Sequence, residues 1–388
     1  MFSRRSSVRR DPNRLARALT ERQAAGQPLL DLTLSNPTRA GLEDTYSDVL
    51  EALHDPRALV YEPDPLGLLS ARQAISRDWQ ERGIGVPAER IVLTASTSEA
   101  YGFLFKLLCD PGDQVLVPRP SYPLFEHLAR LDGVELVQYR LAYDGAWGLD
   151  LDHLRSVCTP RARAVIVVHP NNPTGSFIQH RELGRLVELG LPIISDEVFS
   201  DYGFAESADH PATLLEASSA LVVSLGGLSK SAALPQLKLG WMSLGGPAEL
   251  VGSALGRLEL IADSYLSVGS AVQWALPRLL VEQSRTRRAV RHRTAENLTS
   301  LQRQCAGTVV TPLHVEGGWT AVLRLPGVLD EEQWVIGLLQ THGVLVQPGW
   351  FYDFFEEPLV VVSLLTRRDQ FDDGVSRLVE YAQAGSGS

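Results

Sequence analysis

A lysine near the middle of the chain lies between two apolar runs, in the stretch 221–242 (LVVSLGGLSKSAALPQLKLGWM). The first run predicts a buried strand that ends at a pair of glycines and delivers Lys230 into a turn. A lysine held between a strand end and glycine-flanked backbone is readily desolvated, which lowers the pKa of its amine and makes it a nucleophile. The chemistry this suggests is a Schiff base with an aldehyde. Taken alone, the pattern fits a solvated surface lysine better than a catalytic one. The rest of the sequence decides between these two interpretations.

A carboxylate and a second lysine are the next candidates. Asp196 ends the apolar run of LPIISDE, so we expect its carboxylate to be buried and to need a cationic or hydrogen-bonding partner. That partner is either a basic side chain of the protein or the protonated ring nitrogen of a cofactor. Lys238 follows Lys230 by eight residues, and a second cation nearby lowers the pKa of the first or holds a phosphate.

Hydroxyl, aromatic and amide side chains follow three further predicted strands. Ser96 and Thr97 open a helix, where free backbone N–H groups favour an anion such as phosphate, although helix capping alone explains such hydroxyls. Tyr122, between two prolines in PRPSYP, either stacks on a flat ligand or packs. Asn172 belongs to the constrained turn HPNNPTG, a type of turn that is more often structural than functional.

The elements that position these residues alternate between strand and helix. We predict strands at 90–94, 164–169, 191–197 and 220–225, and helices at 44–54, 68–82 and 96–109. This alternation predicts an α/β fold whose mostly parallel sheet is covered by helices on both faces. Ligands bind such sheets at the carboxyl ends of the strands, where every candidate above falls.

The two ends of the chain form a second unit. We predict a helix at 12–26, a strand at 31–35, a long charged helix at 281–304 and a helix at 330–342. The expected organisation is a large domain over residues 48–286 and a smaller α+β domain formed by residues 1–47 together with 287–388.

Composition excludes several classes of function. The 388 residues carry a formal net charge of −10, which argues against a general binder of nucleic acid or anionic membranes. No apolar run approaches the roughly 18 residues of a membrane span. The Arg/Ser-rich start has no apolar region after it, and the three cysteines lack metal-ligand spacing. We therefore expect a cytoplasmic protein with reduced thiols and no metal site.

Together these groups match what holds pyridoxal 5′-phosphate: a phosphate cradle, an aromatic ring, an amide, a buried carboxylate and an activated lysine. From about residue 30 to its end, the chain resembles the class I/II aminotransferase family of fold type I enzymes. The resemblance is carried by NNPTG, DEVF and GLSK followed by LKLGW, and is supported by DPGDQVLVPRPSYP, EGGW and GVLVQPG. It implies a large domain with a mostly parallel sheet between helices, plus a smaller α+β domain.

The resemblance implies specific roles for these residues. Lys230 would form the Schiff base and move the substrate proton, Asp196 would pair with the pyridinium nitrogen, and Tyr122 would stack on the ring. Asn172 would bond the ring oxygen. The residues expected on the phosphate are Ser96, Thr97, Ser229, Lys238 and, from the neighbouring subunit, Tyr61. This last role implies a homodimer with shared active sites.

Three positions depart from the family pattern. Lys238 stands where many members carry an arginine on the phosphate. Phe199 stands where the family usually has a tyrosine whose hydroxyl bonds the ring oxygen. Tyr202 is near in sequence, but its hydroxyl need not point the same way. Val361 stands where the family has the arginine that binds the substrate carboxylate. Either another cation takes that carboxylate or the substrate is unusual. The cations considered are Arg39, which we favour, Arg119, Arg367 and Arg368.

The predicted activity is a ping-pong transfer of an amino group from an L-amino acid to a 2-oxo acid. Substrate contacts are expected from Arg39, Asn172 and Trp319, whose indole suggests tolerance for apolar side chains. The alternative on the same scaffold is a pyridoxal-phosphate-dependent lyase of the C–S or β-elimination type. A cofactor-sensing transcription factor is disfavoured, since it needs a fused DNA-binding module and the roughly 30 residues before the match are too few.

Overall fold

The computed structural model describes residues 2–7, 11–42, 48–205, 207–354 and 358–386. Over these residues the helices are α1 (Arg14–Ala24), α2 (Val49–Leu53), α3 (Leu69–Glu81), α4 (Thr97–Leu108), α5 (Leu124–Asp132), α6 (Leu151–Val157), α7 (His180–Val187), α8 (Leu228–Ser231), α9 (Ala248–Asp263), α10 (Ser270–Cys305), α11 (Glu331–His342) and α12 (Arg368–Ser386). The strands are β1 (Leu30–Asp31), β2 (Ile91–Thr94), β3 (Gln114–Arg119), β4 (Glu135–Tyr143), β5 (Trp147–Leu149), β6 (Ala162–Val168), β7 (Ile193–Asp196), β8 (Val222–Gly227), β9 (Gly240–Gly245), β10 (Thr311–Pro312), β11 (Thr320–Arg324), β12 (Val344–Leu345), β13 (Gln347–Pro348) and β14 (Leu359–Ser363).

Eight strands form the large sheet, in the order β2-β9-β8-β7-β6-β3-β4-β5. The pairs β8–β7, β7–β6, β6–β3 and β3–β4 are parallel, whereas β9 runs antiparallel to both of its neighbours and β5 closes a hairpin with β4. The predicted α/β architecture with a mostly parallel sheet is confirmed.

The central strands are apolar on both faces because each face is covered. In β6, Ile166 packs into one buried cluster with α4 and α9, while its neighbours Val165 and Val167 pack into a second cluster on the opposite face. Successive side chains of a strand point to opposite faces, so one apolar run serves two cores. This is why these strands are continuous apolar runs in the sequence.

The second unit is built on a four-stranded antiparallel sheet, β10-β11-β14-β13, with β1 paired in parallel with β12 nearby. Its core lies between this sheet and helices α11 and α12. Helix α10 packs on α2 and α3 at one end and on α12 at the other, so it joins the two units. The predicted boundary at 286/287 falls within α10, and the division into two domains stays a prediction.

Local predictions differ from the structure in three places. The strand expected at 31–35 covers only Leu30–Asp31, because the Asp31 carboxylate accepts hydrogen bonds from the backbone N–H and hydroxyl of Thr33 and turns the chain. Helix α10 begins at Ser270, well before residue 281, and continues through Pro277. The helix expected at 44–54 is seen as Val49–Leu53, and residues 43–47 lie outside the described ones.

Among the described residues, no helix combines the length and apolar character needed to cross a membrane. The same part of the chain contains no group of three or more His, Cys, Asp or Glu side chains placed to hold a metal ion.

Candidate active site

A cavity of about 270 Å³ opens between the large sheet and the small one. Its walls come from residues at or just after the carboxyl ends of β2, β3, β6, β7 and β8, and from β11, β13, β14 and residues 33–35. The sequence-predicted residues that the structure brings together here are Thr97, Tyr122, Asn172, Asp196, Lys230 and Trp319.

Lys230 projects into this cavity from the one-turn helix α8, where an open turn was predicted. Its Nζ lies 5.0 Å from the ring centre of Trp319 and 5.4 Å from that of Phe199. Burial lowers the pKa of the Lys230 amine, and the nearby negative charge of Asp196 opposes that shift. The surroundings therefore favour a neutral, nucleophilic amine, as the sequence suggested.

Asp196 lies at the end of β7 with both carboxylate oxygens hydrogen-bonded. The hydroxyl of Tyr101 donates to its Oδ2 at 3.0 Å, and the backbone N–H of Val198 donates to its Oδ1 at 3.3 Å. Burial raises the pKa of Asp196, whereas these two donors and the charge of Lys230 lower it. Burial and the neighbouring carboxylate raise the pKa of Tyr101 well above its usual value, so the phenol keeps its proton and acts as donor.

Sequence reasoning missed Tyr101. It lies on α4 four residues after Thr97, and residues four apart share one face of a helix. That spacing, on a helix already expected to point its N-terminus at a ligand, was a usable signal. Both side chains line the cavity.

Two buried polar atoms in the cavity wall have no protein partner among the described residues. They are Oδ1 of Asn172 and Nε1 of Trp319, whose side chain is only 3% exposed. The neighbouring Asn171 is different, since its amide oxygen accepts from the Thr174 backbone N–H and hydroxyl and so holds the turn. Buried polar groups are nearly always hydrogen-bonded, so these two atoms indicate where a polar ligand binds.

The N-terminus of α4 forms one wall. The hydroxyl of Ser96 accepts from the backbone N–H of Glu99 at 3.2 Å, so Ser96 caps the helix, the simpler of the two roles considered. Thr97 lines the cavity, and the first N–H groups of a helix have no acceptor within it. Gly240 packs so closely on this turn that an added Cβ would lie 3.2 Å from the Thr97 nitrogen.

Other predicted site residues lie outside this cavity lining. Ser229 is next to Lys230 in α8, and Lys238 is exposed with a left-handed backbone, φ 52°. Tyr61 is 76% exposed and lines a separate groove with Asp64 and Gln273. Arg39 is exposed at the end of a short turn of helix, Pro37–Arg39.

The departures from the family pattern have clear positions. Tyr202 does not line the cavity, because its hydroxyl donates to the backbone carbonyl of Lys230 at 2.5 Å. Phe199, at the family's tyrosine position, does line it. Val361 also lines the cavity, is 1% exposed and packs with Tyr352 and Leu359.

Comparisons with known proteins agree with this architecture. Glutamate-pyruvate aminotransferase AlaA of Escherichia coli is 31% identical over 261 residues, which is 66% of this chain and 64% of that protein. The chain thus matches just under two thirds of that relative's length. Alanine aminotransferase of Mycobacterium bovis is 28% identical over 380 residues, which cover 89% of this chain and 84% of that protein.

A solved structure carries the same fold. The crystal structure of an aminotransferase from Escherichia coli superposes with a TM-score of 0.85 at 25% identity, covering 100% of this chain and 98% of that one. The sequence profile of the family described as aminotransferase class I and II matches residues 27–364, most of the chain. The protein therefore belongs to the class I and II aminotransferase family.

Proposed function

We propose that this protein is a pyridoxal-phosphate-dependent aminotransferase that moves an amino group from an L-amino acid to a 2-oxo acid by a ping-pong mechanism. The observation that carries the proposal is one cavity containing a lysine of lowered pKa, a buried carboxylate and an unpartnered amide oxygen. When bound, the cofactor supplies the aldehyde and the electron-withdrawing ring that amino-group transfer needs.

The cavity residues fit that cofactor. Asn172 would donate its amide N–H to the ring oxygen next to the aldehyde, and its buried Oδ1, which no described residue uses, would accept from a donor on the ligand. Asp196 would hold the proton of the ring nitrogen, a role that requires an ionised carboxylate. Tyr122 would cover one face of the ring. Lys230 would carry the cofactor and then move a proton at the substrate Cα, for which a lowered amine pKa is suited.

The phosphate would lie at the N-terminus of α4, where Thr97 lines the cavity and the helix dipole favours an anion. Ser96, Ser229 and Lys238 complete the proposed phosphate site. The close packing of Gly240 on this turn supports the arrangement, because it brings the strand that follows Lys238 next to Thr97.

We further propose that two copies share their active sites. Three consecutive side chains, Leu59, Val60 and Tyr61, are exposed and apolar, which is unusual unless another surface covers them. A second copy of this chain would cover them and receive the Tyr61 hydroxyl on its phosphate. We also infer a cytoplasmic location, because the cysteines at 109, 158 and 305 are free thiols.

Transfer of isotope tests the proposed activity. The cofactor-loaded enzyme is supplied with ¹⁵N-labelled L-alanine, L-tyrosine or L-glutamate and an unlabelled 2-oxo acid. Transamination places the label in the amino acid made from the oxo acid, and Lys230→Ala abolishes that product. Label that appears only as ammonium, with loss of the donor's side chain, would assign the lyase chemistry instead.

A further inference from the structure

The described part of the cavity wall offers no arginine to a substrate carboxylate. Among these described lining residues, Lys230 is the one basic side chain and Asp196 the one acidic side chain, and burial lowers the pKa of Lys230 towards the neutral amine. Both are committed to the proposed cofactor, which itself brings a phosphate. A substrate carboxylate that enters this space is desolvated without a countercharge from the described lining residues of its own subunit, which is unfavourable.

The wall on the side of β14 is apolar. Val361 is buried there against Tyr352 and Leu359, and Phe351 packs beside them. Such a surface fits an apolar or aromatic substituent by burial of area. Its described residues include no positively charged side chain.

Hydroxyl groups on this side already donate to the protein. Ser363 donates to the Leu34 carbonyl, and Thr320 donates to the Pro173 carbonyl at 2.9 Å. Thr33 donates to the Asp31 carboxylate. Since a hydroxyl has one proton to give, each of these three would have to break its present hydrogen bond before it could donate to a substrate carboxylate.

The arginines considered from sequence lie elsewhere. Arg119 donates to the Asp353 carbonyl, Arg368 pairs with Glu296, Arg367 lies beside Asp369, and Arg39 is exposed outside the lining. Residues 43–47 and 355–357, which adjoin the cavity walls in sequence, contain no lysine or arginine.

Resting on the proposed function, we propose that this site does not select for an α-carboxylate, so that primary amines with an apolar or aromatic side chain are amino donors alongside the amino acids. In the net reaction the amine carbon loses its C–N bond and becomes an aldehyde, an oxidation by two electrons. The keto carbon of the 2-oxo acid gains the nitrogen and a hydrogen and is reduced by the same two electrons. Water is consumed and released in equal amounts.

A matched pair of donors tests this. L-Phenylalanine and 2-phenylethylamine differ only in the carboxylate, and each is mixed with the cofactor-loaded wild-type enzyme without any oxo acid. The measured quantity is the second-order rate at which the absorption of the bound cofactor changes to that of its amino form. Pyruvate is then added, and phenylacetaldehyde and alanine are quantified, with Lys230→Ala as the control for uncatalysed reaction.

We expect the two rates to agree within about tenfold, because a site built around a substrate group rejects the analogue lacking it by on the order of 10,000-fold. A preference for phenylalanine of about 100-fold or more overturns the inference and leaves the proposed function intact. If neither donor reacts and the isotope experiment also gives no labelled amino acid, the proposed function fails with it.

Discussion

The hydroxyl of Tyr101 donates to Oδ2 of Asp196 at 3.0 Å, across the interface between helix α4 and the end of strand β7. The two residues are 95 positions apart, and both line the cavity. Asp196 can hold a positively charged ring nitrogen only when it is ionised, and its burial favours the neutral acid. Under the proposed function, Tyr101 would therefore be a positioning residue, because its hydrogen bond lowers the pKa of Asp196 and fixes the orientation of the carboxylate.

Replacing Tyr101 by Phe removes this donor and raises the pKa of Asp196 further. A hydrogen bond to a charged group contributes about 1.5–3 kcal/mol, so we expect cofactor affinity to fall by roughly 10- to 100-fold. The raised pKa means that Asp196 becomes neutral at a higher pH in the variant than in the wild type. As the solution is acidified, the variant should therefore lose cofactor binding at a higher pH than the wild type does. Fluorescence titration of the cofactor-free protein between pH 5 and 8 measures both effects.

Tyr139→Phe is the matched control. Tyr139 is also fully buried, and its hydroxyl donates to the Ile166 carbonyl at 2.8 Å rather than to Asp196. It should lose stability without any shift in the pH profile of cofactor binding. Equal profiles for Tyr101→Phe and the wild type would mean that Tyr101 only fills space.

An arginine placed at Val361 should create selectivity for amino acids. The long side chain would bring a guanidinium into a cavity wall that lacks one, beside the substrate substituents. We expect Val361→Arg to raise the preference for L-phenylalanine over 2-phenylethylamine by about 10- to 100-fold, and Val361→Met to leave it unchanged. An unaltered preference in a folded Arg variant would mean that the carboxylate never approaches β14.

Arg39→Ala tests the sequence-based prediction for the substrate carboxylate. If the guanidinium of Arg39 reaches the substrate carboxylate, its removal should raise KM for L-phenylalanine by at least about tenfold and leave KM for 2-phenylethylamine unchanged. The exposed position of Arg39 outside the lining predicts instead the same ratio of the two KM values as in the wild type. A change in that ratio would return Arg39 to the site.

His169 makes stability depend on pH. It is completely buried, Nδ1 accepts from the Ile178 backbone N–H at 3.0 Å, and Nε2 donates to the Pro211 carbonyl. Burial lowers the pKa of His169 from 6.5 to about 3, so between these values the unfolded chain binds a proton that the folded protein does not. The free energy of unfolding should therefore decrease as the pH is lowered. His169 should contribute about 2 kcal/mol to the decrease between pH 7 and pH 5.

His169→Gln keeps one acceptor and one donor but does not titrate. Urea denaturation at pH 7 and pH 5 should show a smaller drop in the variant than in the wild type. An identical drop in both proteins would assign the acid sensitivity to other groups.

The residues that could be predicted from sequence are those next to strand ends. Asp196 and Lys230 each follow an apolar run, and a parallel sheet brings the carboxyl ends of its strands to one edge, so the pattern alone brought them together. The parallel order of the central strands followed from the same alternation. Asn172 and Tyr122 lie at that edge for the same reason.

What sequence could not supply depends on contacts between distant elements. The Tyr101–Asp196 hydrogen bond needs the packing of α4 against the sheet, and the burial of the Trp319 indole needs Phe199 and Tyr202 packed against its ring. The short β1 is a local effect that was missed, since the Asp31 side chain competes for the backbone N–H of Thr33. Lys238, which the resemblance assigns to the phosphate, is exposed outside the cavity lining, and its role there stays a prediction.

The central claim is that Lys230 carries a cofactor that accepts amino groups. The most direct measurement is the absorption spectrum of the purified, cofactor-loaded protein while single amino acids and amines are added without any oxo acid. We expect the band of the lysine-bound cofactor to convert to that of the free amino form with at least one donor, and Lys230→Ala to show neither the starting band nor the conversion. A wild-type spectrum without a Lys230-dependent band, or a band that persists with every donor, would contradict it.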